Sequence, residues 1–275
     1  MQLEKIAEVA VQACRRAGDI LLRSLDSSRP TSVKGDHYNI VTDADVASEV
    51  ALISHISAAF PEHSFLAEES GLLLRSTTDL WILDPLDGTS NFAAGLPWFG
   101  VLAAHVTHGR PDVAVMFLPV TGEAYLAIRG QGSTKNGVKI GVASSKSLRE
   151  VLWAYGMDDP GAGPQATEKQ QVLLGILRSA RNVRSTNCLL DAAYTSDGRF
   201  GGMLNWSCKA WDVAGPSLIV EEAGGRYTTL DGACLRFDAW SDCLTRNYSI
   251  VAGAPQLHAE VLQMVQDVRA AQAPE

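Results

Sequence analysis

Residues 80–92 read Leu-Trp-Ile-Leu-Asp-Pro-Leu-Asp-Gly-Thr-Ser-Asn-Phe, and this stretch decides the fold. Its apolar beginning predicts a buried strand that ends in two carboxylates, Asp84 and Asp87. The residues from Gly88 onward are typical of a helix start, where backbone N–H groups bind phosphate oxygens. Carboxylates are preferred ligands of hard cations such as Mg²⁺. The sequence therefore predicts metal and phosphate at one place, which indicates phosphoryl chemistry.

Three other segments carry acidic residues in comparable positions. Glu68 and Glu69 directly follow another apolar run. Asp212 opens an apolar helical stretch, and Asp43 and Asp45 precede a further helical pattern. Capping of the following helix is the structural alternative for Asp212, and we expect Asp43 to be such a cap. Four clustered carboxylates would repel one another unless cations neutralised them, so the acidic set as a whole favours a metal site.

These motifs, in this order, resemble the inositol monophosphatase family of Mg²⁺-dependent, lithium-sensitive sugar-phosphate phosphatases. The resemblance rests on Asp-Pro-Leu-Asp-Gly-Thr at residues 84–89 and Trp-Asp-Val-Ala-Gly at residues 211–215. It implies an α/β (α+β) fold, a layered αβαβα sandwich of the inositol monophosphatase and fructose-1,6-bisphosphatase type. It also implies two halves, with residues 1–155 carrying most metal ligands and residues 156–275 closing the active site.

The resemblance implies a role for each matched residue. Two or three Mg²⁺ ions are expected on four carboxylates and one carbonyl: Glu68, Asp84, Leu86 (carbonyl), Asp87 and Asp212. Glu68, Thr89 and Asp45 are the expected catalytic residues, with Asp45 orienting the Thr89 hydroxyl that helps to hold the attacking water. The expected substrate contacts come from both halves: Asp87, Gly88, Thr89, Ser90, Asn187, Asn205 and Asp212. Lys34 matches a lysine on the family's active-site loop, although loop lysines are usually plain surface residues.

Two departures from the family concern the substrate. Inositol-specific members have a Gly-Ser/Thr-Ala segment and a glutamate before Trp-Asp, where this chain has Thr186-Asn187-Cys188 and Asn205. Asn205 is neutral and offers both donors and an acceptor. Inositol-1-phosphate is the leading candidate for hydrolysis by metal-activated water. Histidinol phosphate, 3′-phosphoadenosine phosphate, fructose-1,6-bisphosphate and a non-catalytic regulatory role remain alternatives.

Composition bounds the location and partners of the protein. The chain has 275 residues and a net charge of −8, which argues against non-specific nucleic-acid binding. No apolar run approaches the length of a membrane span, and the amino terminus lacks a signal-peptide core. Five cysteines without a Cys-x-x-Cys pair indicate reduced thiols, and the cytoplasm is the expected compartment. The expected partner is a small phosphate monoester, and the resemblance implies a homodimer.

Hydrophobic periodicity places the elements around these motifs. It predicts helices at residues 2–25, 45–60 and 170–180 and an antiparallel meander at residues 98–140. Loops are expected at residues 34–38 and 156–167. No histidine stands at metal-ligand spacing from a second histidine in the sequence, and His105 in its apolar run is expected in the core. Trp81 and Trp211 are expected to pack the sheet beneath the ligands.

Overall fold

The computed structural model describes residues 2–25, 31–33, 40–157 and 163–272. Lys34 and the loop expected at residues 34–38 lie outside these ranges. So does the middle of the loop expected at residues 156–167.

The described residues form helices and strands in an order that separates the chain into two sheets. The helices are α1 (Gln2–Leu25), α2 (Asp43–Ala59), α3 (Thr89–Ala93), α4 (Gly163–Ser179), α5 (Leu190–Ser196), α6 (Ala210–Glu222), α7 (Trp240–Cys243) and α8 (Pro255–Gln272). The strands are β1 (Thr31–Val33), β2 (Ile40–Thr42), β3 (Ser64–Ala67), β4 (Gly71–Leu73), β5 (Asp79–Asp87), β6 (Gly100–Thr107), β7 (Arg110–Leu118), β8 (Glu123–Ile128), β9 (Gly132–Lys135), β10 (Val138–Lys139), β11 (Leu152–Tyr155), β12 (Asn182–Arg184), β13 (Gly202–Cys208), β14 (Arg226–Thr229) and β15 (Tyr248–Gly253).

The first large sheet has eight strands in the order β10-β9-β8-β7-β6-β5-β3-β4. Strands β6 to β10 are successive antiparallel neighbours, so the predicted meander is confirmed. Asn136 and Gly137 turn its last hairpin with φ angles of 51° and 81°. Two successive positive φ angles are the requirement of a type I′ turn, which suits an Asn-Gly pair.

The second large sheet has five strands in the order β12-β11-β13-β15-β14. Strand β11 runs parallel to both β12 and β13, whereas β15 is antiparallel to β13 and β14. A further two-stranded ribbon, β1-β2, precedes α2. The connection from the first sheet to the second therefore lies between β10 and β11.

The helices form three layers around the two sheets. Helices α1 and α2 cover one face of the eight-stranded sheet. Helices α5 and α6 are packed between the two sheets, and α4 and α8 cover the outer face of the five-stranded sheet. The expected αβαβα sandwich is confirmed. Within the described ranges, no helix combines the length and apolar character required to cross a membrane.

Helix boundaries differ from the sequence prediction where a cap decides them. Helix α1 coincides with the prediction, whereas α2 begins two residues early because Thr42 caps it. The Thr42 hydroxyl accepts the N–H of Ala44, and the Thr42 N–H is donated to Asp45. The expectation that Asp43 is the cap was therefore wrong. Helix α4 begins at Gly163, well before the predicted start at residue 170.

Helix α1 approaches the sheet closely through Gly18. A Cβ at this position would lie 2.5 Å from Cε1 of Phe117 and 3.2 Å from Cβ of Pro119. The Phe117 ring is only 5% exposed, and the Arg15 guanidinium lies 5.3 Å from its centroid. The ring has little room to retreat.

We predict that Gly18→Ala destabilises the protein. Alanine improves helix propensity by about 1 kcal/mol, but overpacking a filled interface costs about 1–3 kcal/mol, so we expect a net loss of up to about 2 kcal/mol. Urea unfolding measures the difference. Gly175→Ala on α4 is the matched control, because the three atoms nearest to its new Cβ all belong to the flexible Met264 side chain. A Gly18→Ala variant as stable as the wild type would contradict the packing argument.

Candidate metal and phosphate site

A bulge at the end of β5 sets the direction of its two carboxylates. Asp84 is paired with Leu102 of β6 and Asp87 with Gly100, so two residues of β5 lie opposite one of β6. In a regular strand, residues three apart would point to opposite faces. The extra residue turns Asp87 back to the side of Asp84. Pro85 lies inside the bulge, where its missing N–H removes no ladder hydrogen bond.

Three carboxylates from two elements meet at this point. One oxygen from each of Asp84, Asp87 and Asp212 lies within 4.8 Å of the others. Asp212 lies in the first turn of α6, which begins at Ala210, and its Oδ2 accepts the N–H of Lys209 at 2.6 Å. The capping alternative for Asp212 and its place in the acidic cluster are therefore compatible. Glu68, directly after β3, lines the same cleft.

The electrostatics of this cluster are those of a cation site. Asp84 is 2% exposed, and burial is the largest cause that raises its pKa well above the usual range. Repulsion from Glu68, Asp87 and Asp212 raises that pKa further. The N–H of Leu86, 3.0 Å from Asp84 Oδ1, offsets only part of this effect. Crowded oxygen ligands with excess negative charge suit Mg²⁺, so these side chains are chemically suited to hold that ion.

Helix α2 supports the site through a buried polar face. Asp45, Ser48 and Glu49 are spaced at i, i+3 and i+4, which places them on one side of the helix, and all three are buried. Ser48 donates its hydroxyl to the Pro85 carbonyl at 2.6 Å, inside the β5 bulge. Glu49 accepts the backbone N–H groups of the turn after Glu68, each at 2.8 Å.

Asp45 of the same face connects to the start of α3. Its Oδ1 lies 3.2 Å from the Thr89 hydroxyl, which also lies 3.0 Å from the Leu86 carbonyl. Its Oδ2 accepts both the N–H and the hydroxyl of Thr42. The Asp45–Thr89 contact expected from the family resemblance is thus present in the geometry. The Leu86 carbonyl, expected as a metal ligand, also interacts with the Thr89 hydroxyl and retains a second lone pair.

Gly88 allows the chain to turn between the strand and α3. Its φ and ψ angles are 92° and 35°, in the left-handed region. A Cβ here would lie 2.6 Å from the Trp98 carbonyl oxygen and 3.0 Å from the Cβ of Cys188. Only glycine fits such an approach. At the start of α3, the N–H groups of Gly88, Thr89 and Ser90 have no acceptor within the helix, as at any helix start.

The second half of the chain forms the opposite wall. The N–H of Leu189 donates to Asp87 Oδ1 at 2.8 Å and connects the two walls directly. Asn187 has a positive φ of 50°, and its Oδ1 accepts the Ser185 hydroxyl at 2.7 Å. Asn205 Oδ1 accepts the N–H of Ser207 at 3.1 Å. Both asparagines line the cleft, which has a volume of about 510 Å³.

The structure brings nearly every expected site residue to this cleft. The residues that line it include Glu68, Asp84, Leu86, Asp87, Gly88, Thr89, Ser90, Asn187, Asn205 and Asp212. Asp45 reaches it through Thr89. Trp211 also lines the cleft, whereas Trp81 is buried on the side of the sheet that faces α1 and α2. Sequence reasoning missed the contacts of Ser48 and Glu49, although polar residues at helical spacing in an apolar helix were the available signal.

The chain is similar to known proteins over most of its length. Residues 2–270 match the sequence model of the inositol monophosphatase family. Nus factor SuhB of Pasteurella multocida is 32% identical, and the match covers 96% of this chain and 97% of that protein. The structure of extragenic suppressor protein suhB from Bartonella henselae has a TM-score of 0.86 at 28% identity, covering 95% and 98% of the two chains. The IMPase of Thermotoga maritima has a TM-score of 0.83 at 26% identity, covering 96% and 98%.

We predict that Glu49→Gln lowers the free energy of unfolding by about 1–3 kcal/mol. The amide presents an N–H₂ group to one of the two backbone N–H groups that the carboxylate accepts, and a buried donor without an acceptor costs about that much. Denaturant unfolding measures the loss. Glu62→Gln, at an exposed position in the loop before β3, is the matched control and should be neutral. Equal stability of the two variants would show that Glu49 does not hold the turn.

We predict that Asp84→Asn stabilises the metal-free protein at neutral pH. Because the pKa of Asp84 is raised in the folded state, folding binds a proton there, and stability falls as pH rises above the unfolded value of about 3.9. The uncharged amide removes that penalty, so Asp84→Asn should be more stable than the wild type at neutral pH.

Urea unfolding in EDTA, from about pH 5 to about pH 8, tests this sign. The wild type should lose more stability over this range than Asp84→Asn, and Mg²⁺ should restore stability only to the wild type. Asp19→Asn, an exposed carboxylate on α1, should behave like the wild type. A variant that is less stable than the wild type throughout would contradict the repulsion argument.

Proposed function

Since this chain belongs to the inositol monophosphatase family, we propose that it is a Mg²⁺-dependent phosphomonoesterase of a small polyol or sugar phosphate. The observation that carries the proposal is the meeting of Asp84, Asp87 and Asp212 beside the start of α3. Inositol-1-phosphate is the first candidate substrate.

The acidic residues divide into two overlapping ligand sets in this proposal. Glu68, Asp84 and the Leu86 carbonyl would hold one Mg²⁺, and Asp84 would share a second with Asp87 and Asp212. A third Mg²⁺ ion would bring the total to three, the larger of the two numbers we expect. When bound, Mg²⁺ supplies acidification of water and neutralisation of charge on the phosphate. The buried position of Asp84 between the other carboxylates supports its assignment as the shared ligand.

The remaining groups orient the reactants. Asp45 accepts the Thr89 hydroxyl and so fixes the direction of the Thr89 oxygen lone pairs toward the attacking water. Glu68 stands on the turn that Glu49 holds, and it would orient the same water from the other side. The N–H groups of Gly88, Thr89 and Ser90 would bind phosphate oxygens. The chain thus positions water and phosphate with groups that are already ordered.

The wall from the second half would select the alcohol part of the substrate. Asn187 and Asn205 line the cleft with neutral amides, which bind hydroxyl groups as donors and as acceptors. An amide selects hydroxyls less strictly than a carboxylate that accepts only. Histidinol phosphate, 3′-phosphoadenosine phosphate and fructose-1,6-bisphosphate therefore stay in the proposal as alternatives. A small phosphate monoester rather than nucleic acid agrees with the net charge of −8.

A regulatory function without catalysis is the second candidate. It is favoured by the name of the Pasteurella multocida relative, Nus factor SuhB. In that case the carboxylates would bind a cation for stability alone. The two candidates differ in whether phosphate is released.

We also propose a cytoplasmic homodimer. Val120 and Val138 are exposed apolar side chains on the meander, 41% and 70% exposed respectively. Apolar side chains of this kind suit burial between two copies of the chain.

Phosphate release from a panel of monoesters tests the function. The panel contains inositol-1-phosphate, histidinol phosphate, 3′-phosphoadenosine phosphate and fructose-1,6-bisphosphate, each with and without Mg²⁺. We expect Mg²⁺-dependent turnover of at least one compound, and a loss of about 100-fold or more in Asp87→Asn, which removes a ligand charge. Asp267→Asn, exposed on α8, is the matched control. A folded protein that binds Mg²⁺ but releases no phosphate from the panel would favour the regulatory candidate.

A further inference from the structure

A second group of side chains of the types that bind metals lies at the start of β5, at the opposite end of that strand from Asp84. His63 directly precedes β3, Asp79 begins β5, and His105 lies in β6 opposite Trp81. One ligand atom from each of His63, Asp79 and His105 lies within 4.8 Å of the others. The spacing of the histidines in the sequence gave no sign of this group. The strand order β6-β5-β3 brings together residues that are remote in the sequence.

The carboxylate lies between the two imidazole rings. His105 Nε2 is 3.3 Å from Asp79 Oδ1, and His63 Nε2 is 3.9 Å from the same oxygen. Ligands about 2.0–2.1 Å from a tetrahedral Zn²⁺ are about 3.3–3.4 Å apart. The His105–Asp79 pair already has this separation. His63 Nε2 would have to move about 0.5 Å closer to Asp79 Oδ1 to match it.

His105 gives further support, because Nδ1 of its buried imidazole has no hydrogen-bond partner. The residue is 1% exposed, and its other ring nitrogen, Nε2, faces Asp79 Oδ1 at 3.3 Å. Buried polar nitrogens are nearly always satisfied, so an orphan of this kind requires an explanation.

The surroundings leave a route for an ion and hold the ligands in place. The side chains of His63 and Asp79 are 13% and 26% exposed, so the group opens to solvent on one side. Thr78 donates its hydroxyl to Asp79 Oδ2 at 2.6 Å, which orients the carboxylate. The His63 ring stacks on Phe60 with centroids 4.7 Å apart. Partners of this kind fix the direction of metal ligands.

The Trp81 indole N–H is the one contact that metal binding must change. It donates to Nδ1 of His63 at 3.1 Å, so the neutral His63 ring carries its proton on Nε2, facing Asp79. When Nε2 binds a metal, this proton must move to Nδ1, and the indole N–H loses its acceptor. One neutral hydrogen bond is thus exchanged for three metal–ligand bonds. The indole of Trp81 is a reporter of that exchange.

We propose that His63, Asp79 and His105 bind a divalent transition-metal ion, with Zn²⁺ as the best match. Two imidazoles and one carboxylate select zinc and its neighbours over Mg²⁺, which prefers oxygen alone. The open side leaves the fourth position to water. Bound there, the ion joins the ends of β3, β5 and β6 at the end of β5 opposite Asp84. The proposal does not depend on the phosphatase function.

Titration of the EDTA-treated protein with Zn²⁺ in millimolar Mg²⁺ tests the site, since the Mg²⁺ competes for the carboxylate cluster, whose oxygen ligands suit that ion. Calorimetry should give one Zn²⁺ per chain, and Co²⁺ should give the visible absorption of a tetrahedral site. His63→Gln and Asp79→Asn should each weaken binding by about 100-fold or more. His55→Gln on α2 is the matched control and should bind as the wild type does.

The indole ¹H–¹⁵N NMR signal of Trp81, assigned by its loss in Trp81→Phe, reports on the site independently of enzymatic activity. Zn²⁺ should shift this signal in the wild type and leave it in place in His63→Gln. His63 is partly exposed, so His63→Gln should fold even if a change at buried His105 does not. The proposal is overturned if no Zn²⁺ binds in the presence of Mg²⁺. It is equally overturned if His63→Gln and the wild type bind alike, or if the Trp81 signal does not move.

Discussion

Mutual repulsion among carboxylates is the constraint on which the rest of this structure depends. Asp84 is desolvated and faces Glu68, Asp87 and Asp212, so the charges that suit a cation also oppose folding without one. Hydrogen bonds from backbone N–H groups outside the carboxylate cluster hold the carboxylates in place. The N–H groups of Lys209 and Leu189 are donated to Asp212 and Asp87, and they give partial compensation at each carboxylate. The fold thus maintains a concentration of negative charge that would suit a bound cation.

The layered architecture explains how these contacts reach one point. Helix α2 lies on one face of the eight-stranded sheet and presents Asp45, Ser48 and Glu49 to three segments at the sheet end. Helix α6 lies on the other face and brings Asp212 from the second half of the chain. Strand β5 runs between them, and its bulge turns Asp87 toward Asp84. Since each layer contributes part of the site, the site exists only when the layers are packed.

Strand β5 also connects two chemically different ends. At its carboxyl end, crowded oxygens suit a hard cation, whereas at its beginning Asp79 lies between two imidazoles. The two groups do not share a residue. They differ in ligand type, since carboxylate oxygens suit Mg²⁺ whereas imidazoles suit Zn²⁺. The first end follows from motifs that are contiguous in the chain. The second follows only from the pairing of strands.

The sequence by itself determined the acidic motifs, α1 and the meander, because these depend on local periodicity and on contiguous residues. The motifs carried the family resemblance, and that resemblance implied the αβαβα layers. Asp84, Asp87 and Gly88 were readable since strand end, turn and helix start are adjacent in the chain. Tertiary structure alone decided that Thr42 rather than Asp43 caps α2, that Glu49 holds the turn after Glu68, and that His63 meets His105. Each of these outcomes depends on backbone angles or on strand order between remote segments. Such contacts leave no periodic pattern in the sequence, because their partners are chosen by packing after the elements have formed.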